Sequence, residues 1–124
     1  MTVLHPSAVC STWAKVAGGA QLLPGSIVNA GATLGANVIV NSGAIVEHDC
    51  CVSDHSHVAP GARLGANVHV GEMAHIGLGA CVRQGLCIGR NAIVGVGAVV
   101  VKDVPDNVVV AGAPARILRR VEGS

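Results

Sequence analysis

Three of the six histidines and three of the seven acidic residues of this 124-residue chain fall between Asn41 and Val58. Within that stretch, Glu47-His48-Asp49 sets an imidazole between two carboxylates. An imidazole beside a carboxylate is a general base held in one tautomer, and its imidazolium is stabilised when a proton arrives. Asp49 is the first candidate for that carboxylate and Glu47 the second. Asn41 and His57 lie within the same stretch, and His75 follows His57 by eighteen residues. Cys50 and Cys51 follow Asp49 and have no positive partner in sequence to lower a thiol pKa, so a thiolate nucleophile is not expected. Cys51, His69 and Cys87 also recur every eighteen residues. Three ligands in a row along a flat sheet cannot wrap a tetrahedral zinc, so no metal is expected. His55 and His69 read as surface residues.

These residues are positioned by a repeat. From Val16 to Val100, every sixth residue is Val, Ile or Leu, fifteen times without a break. Two places earlier stands a small residue in most repeats, such as Ala20, Ala32, Ala44, Ser56 and Ala74. A period of six matches neither the 3.6 of a helix nor a continuous two-residue alternation. It fits short strands separated by regular turns, each with one large aliphatic side chain facing inward. Three such strands close a triangular lap of about eighteen residues, and successive laps pair as parallel sheets. Gly35, Gly65, Gly71, Gly77, Gly89 and Gly95 follow inward positions and are expected to turn the chain with positive φ. Asn29 and Asn41 occupy the same slot and are expected to share that geometry.

His48 falls two places after the inward Val46, hence at a corner, with its ring outward. Its pairing with Asp49 needs a turn there, because neighbours on a strand point to opposite faces. His48 and His57 are nine residues apart, half a lap, and so sit on opposite sides of one column. Serving one site together requires a neighbouring chain, which predicts a closed trimer with sites between subunits. His75 should stack one rung from His57 in the same groove. Gly77-Leu78-Gly79 and Gly95-Val96-Gly97, eighteen apart, leave nearly bare backbone against which an extended ligand could lie.

Composition narrows the class. The net charge is +1, with no basic stripe, so nucleic acid is set aside. No apolar run reaches membrane-spanning length, and the N-terminus lacks the pattern of a signal peptide. Five cysteines, an odd number without C-x-x-C spacing, read as free thiols in a reducing, cytoplasmic setting. Trp13 is the single aromatic residue of the Phe, Trp and Tyr set, as suits a column too thin for anything larger than Leu or Ile. The chain reads as one domain over residues 1–124, with coils over about 3–104 and a tail over 105–124 that caps the open end through a short strand at 108–110 and a helix at 117–122.

The six-residue register resembles the hexapeptide-repeat family, whose fold is a left-handed parallel β-helix. Asn41, Glu47-His48-Asp49-Cys50, Ser56-His57-Val58 and Pro60-Gly61-Ala62 are similar to the catalytic segment of its sialic-acid O-acetyltransferase and bacillosamine-type N-acetyltransferase group. The resemblance runs from His5-Pro6 to Pro114-Ala115-Arg116. It implies His48 as base, Asp49 as its orienting acid, Asn41 at the acceptor sugar and His57 by the thioester. It further implies acetyl-CoA as cosubstrate, with its pantetheine arm along Gly77, Leu78, Gly95 and Val96 beside His75. Lys102 and Arg116, and less so Arg119 and Arg120, become candidates for CoA phosphates. Relatives usually carry an N-terminal nucleotide-fold domain without a counterpart in these 124 residues, so the chain is a fragment, works with a separate domain, or takes a different acceptor.

The expected function is acetyl transfer from acetyl-CoA to an amino or hydroxyl group of a sugar or nucleotide-sugar by direct attack. Glu47 and Asn41 are placed on the substrate side. Two other readings differ in class: a non-catalytic scaffold subunit, and a zinc carbonic anhydrase on the same column. The latter needs two histidines five residues apart, a spacing not found here.

Overall fold

Residues 2–122 are described by the computed structural model of the chain. Met1, Gly123 and Ser124, which the single-domain reading included, lie outside them. Seventeen two-residue strands run from Val3–Leu4 to Val99–Val100, followed by Val108–Ala111 and Arg116–Arg120. They form three parallel-stacked faces of eight, six and five strands. Strands β7 (Ile39–Val40), β10 (His57–Val58), β13 (His75–Ile76) and β16 (Ile93–Val94) belong to the first face. Strand β8 (Ile45–Val46) lies on the second and β9 (Cys51–Val52) on the third. The lap is eighteen residues, since His57 pairs with Ile39 and with His75. It shortens to sixteen at the end, where Ile93 pairs with Val109 and Ile88 with Val104.

The predicted inward positions form the core. From Leu22 to Val100 none is more than 3% exposed, and the small residues two places before them are buried as well. Each such Val, Ile or Leu contributes roughly 1.5–3 kcal/mol by leaving water. Between laps the backbone closes its own hydrogen bonds, as when the Asn41 N–H donates to Val58 O at 2.8 Å.

Three expectations change. The left-handed residue at each corner is the third after the inward one, among them Asn37, Asp49, His55, Asn67, Met73 and Asn91, and neither Asn29 nor Asn41 is left-handed. The glycines directly after inward residues do not have positive φ; they are small because the next lap passes over them. A Cβ on Gly65 would come within 2.6 Å of the Gln84 backbone nitrogen. Third, the tail contains no helix among the described residues. Arg116–Arg120 is a strand, antiparallel to Val108–Ala111 on the edge of the first face. Six residues are too few for a helix to hold alone, and an unpaired sheet edge offers the same groups a ladder.

Candidate active site

His48 and Asp49 are the middle residues of the turn between β8 and β9, at the corner joining the second and third faces. Asp49 adopts φ 61°, and this left-handed step swings its carboxylate back beside its neighbour. His48 Nδ1 and Asp49 Oδ2 lie 3.0 Å apart, with both side chains more than half exposed. The carboxylate thus accepts a hydrogen bond from Nδ1–H and leaves Nε2 as the basic nitrogen. The other carboxylate oxygen of Asp49 leans over Gly31 in the preceding lap, in space that a Cβ would fill. Glu47 does not touch His48; its Oε1 accepts from Asn29 Nδ2 at 3.0 Å. Asn29 and Gly31 thus join the site, though only their position one lap before Glu47 and Asp49 could have marked them. Cys50 points inward instead. Burial raises its thiol pKa, and its Sγ donates to Gly65 O at 3.1 Å.

A second group lies on and beside the first face. His57 and His75 project from paired strands, their rings edge to face with centroids 4.9 Å apart. Asn41, in the turn after β7, places Nδ2 3.1 Å from His57 Nε2. Its Oδ1 accepts from the Ser42 backbone N–H at 2.7 Å. Burial, and then the neighbouring His75, push the His57 pKa below its ordinary value. The corner carrying His48 lies across the triangular column from the face carrying His57. One protomer therefore does not bring the two histidines together.

The turns that follow the first face continue this second group. Gly77 and Leu78 come after β13, Gly95 and Val96 after β16, and both Leu78 and Val96 are exposed. Every left-handed residue of these turns is glycine, from Gly25 through Gly43, Gly61 and Gly79 to Gly97, although beside Gly43, Gly79 and Gly97 nothing lies within 4 Å of an added Cβ. At the C-terminal end, Lys102 and Arg116 line one cleft of about 300 Å³ with Val104, Pro105, Val110 and Ile117. Arg119 and Arg120 are exposed on the outermost strand. Cys51, His69 and Cys87 are in register on the third face. No three His, Cys, Asp or Glu side chains converge as a metal ligand set among the described residues.

The chain is similar to the acetyltransferase domain of PglB from Neisseria gonorrhoeae, with 42% identity and a TM-score of 0.93 over 95% of this chain and 58% of that one. Its column of eighteen-residue laps is the hexapeptide-repeat fold of that domain. Its likeness to PerB from Caulobacter crescentus, solved in complex with CoA and GDP-perosamine, is 42% identity at TM-score 0.92 over 94% of this chain and 56% of that one. WeeI from Acinetobacter baumannii is 39% identical at TM-score 0.83, over 94% and 55% of the two chains. No protein-family model and no curated protein matches the chain. The 124 residues span little more than half the length of these three similar proteins. Among the described residues no helix is long and apolar enough to cross a membrane.

Proposed function

We propose that the chain carries the catalytic β-helix of an acetyl-CoA-dependent sugar acetyltransferase, with His48 as general base. The observation that carries this reading is the 3.0 Å contact of His48 Nδ1 with Asp49 on an exposed corner. Asp49 fixes the tautomer, and Nε2 takes the proton of the attacking group. The acceptor N–H or O–H attacks the thioester carbonyl carbon, and the new C–N or C–O bond forms as the proton passes to Nε2. The C–S bond then breaks, and the CoA thiolate takes that proton from the imidazolium. No acyl-enzyme is required. PerB, a GDP-perosamine N-acetyltransferase, favours an amino group on a nucleotide-linked sugar as acceptor.

His48 and His57 serve one reaction across a subunit boundary in a closed homotrimer, with Asn41 and Glu47 toward the acceptor side. The bare glycine corner beside His57 and His75, flanked by the exposed Leu78 and Val96, suits an extended pantetheine arm. Lys102 and Arg116, brought into one cleft, suit the CoA phosphates. Five free thiols fit a reducing, cytoplasmic setting.

The test is CoA release from acetyl-CoA with a panel of amino- and hydroxy-sugars and their nucleotides. His48→Ala is expected to lower kcat by about 10²–10⁴-fold while acetyl-CoA still binds. A His48→Ala protein at full rate sinks the assignment.

A further inference from the structure

The orientation of the Asn41 side chain is fixed by its own neighbour. The backbone N–H of Ser42 donates to Asn41 Oδ1 at 2.7 Å. Reversing the amide would set its NH₂ against that N–H, donor against donor. The NH₂ group is therefore the end that faces His57 Nε2, 3.1 Å away. An amide NH₂ only donates, so Nε2 must present its lone pair. A neutral imidazole with a bare Nε2 carries its proton on Nδ1.

We infer that Asn41 is a positioning residue that holds His57 as the neutral Nδ1–H tautomer, an uncharged hydrogen-bond donor and not a second base. Protonating His57 at Nε2 would break the contact with Asn41 by setting two donors face to face. The groups beside His57 offer the resulting cation no support. Ile39 is its partner on the preceding strand, and His75 stands on the following one. Among the described residues no carboxylate pairs with His57. Its lowered pKa has the same origin, first desolvation and then His75. Two histidines of one family motif are thus made different by their partners. Asp49 accepts from His48 and leaves it a bare Nε2 for taking a proton, whereas Asn41 donates to His57 and occupies its Nε2. On the acetyltransferase reading, on which this use of the tautomer rests, His57 Nδ1–H would serve the thioester oxygen as negative charge develops there, with no proton transferred.

The experiment is ¹⁵N NMR of histidine-labelled protein through a pH titration, with Asn41→Asp and Asn41→Ala alongside. In the wild type, His57 is expected to show a protonated Nδ1 and an unprotonated Nε2, and to titrate below the ordinary histidine value. Asn41→Asp reverses the polarity of the contact, because a carboxylate accepts; the proton should move to Nε2 and the His57 pKa rise by about one unit or more. Asn41→Ala should leave a mixture of tautomers. A wild-type spectrum with Nε2–H on His57 overturns the inference, as does an Asn41→Asp protein whose His57 tautomer and titration are unchanged. The wild-type measurement decides even where a variant folds poorly. Absence of CoA release from the wild type with the Nδ1–H tautomer in place would count against the acetyltransferase reading alone.

Discussion

Asp49 reaches His48 because its backbone is left-handed, a conformation that Asn tolerates and Ala resists. Asp49→Asn should therefore keep the turn and its melting temperature but lose the carboxylate, with kcat down about 10²-fold. Asp49→Ala should in addition cost about 1 kcal/mol in thermal or denaturant unfolding. Gly31→Ala tests the same pair from below. Its Cβ would occupy the space of the Asp49 carboxylate, and the displaced acid should lower kcat about tenfold or more, with Gly31→Ser no better. His57 gives a pH dependence of stability with a definite sign. Its folded-state pKa lies below 6.5, so between those two values the unfolded chain binds more protons. The contribution of His57 is complete above pH 6.5 and is lost as pH falls from there toward the folded pKa. Melting temperatures across that window should decline on acidification, and less steeply in His57→Gln. A slope unchanged by the substitution would contradict this.

Among the elements, the hexad register was legible in advance because one inward aliphatic per short strand is a local, periodic requirement of burial. The reason for each glycine was not. Gly65, directly after inward Leu64, was expected to turn with positive φ, yet it lies under the next lap, while Gly43, third after inward Val40, holds φ 68° with open space around it. Gly65→Ala should accordingly cost about 2–4 kcal/mol by pushing two laps apart. Gly43→Ala should cost about 1 kcal/mol from backbone strain alone. Urea midpoints of the two variants measure the difference, and equal values would refute the separate causes. The tail shows the same limit of local reading. Arg116–Arg120 has no strong strand pattern of its own, and it became a strand because Val108–Ala111 left an edge beside it.

For the whole molecule, the central consequence is that His48 and His57 lie on opposite sides of one column. If they act together between protomers of a trimer, two inactive proteins should complement one another. Refolding His48→Ala with His57→Ala in equal amounts gives mixed trimers in which one of three His48–His57 pairs is intact, so a random mixture regains about a quarter of wild-type turnover. No recovery, from two proteins each inactive alone and trimeric by sedimentation, would place both histidines' work within one chain. The sequence by itself determined the column, its eighteen-residue lap, the corner position of His48 and the half-lap offset of His57, because all of these follow from counting along a regular path. Only the tertiary structure decided which groups meet across laps, Asn29 with Glu47, Asp49 over Gly31 and Asn41 with His57, and that Lys102 and Arg116 line one cleft. Those pairings depend on turn dihedrals and rotamers at each corner, where a change of one residue's handedness redirects a side chain, and periodicity carries no information about that choice.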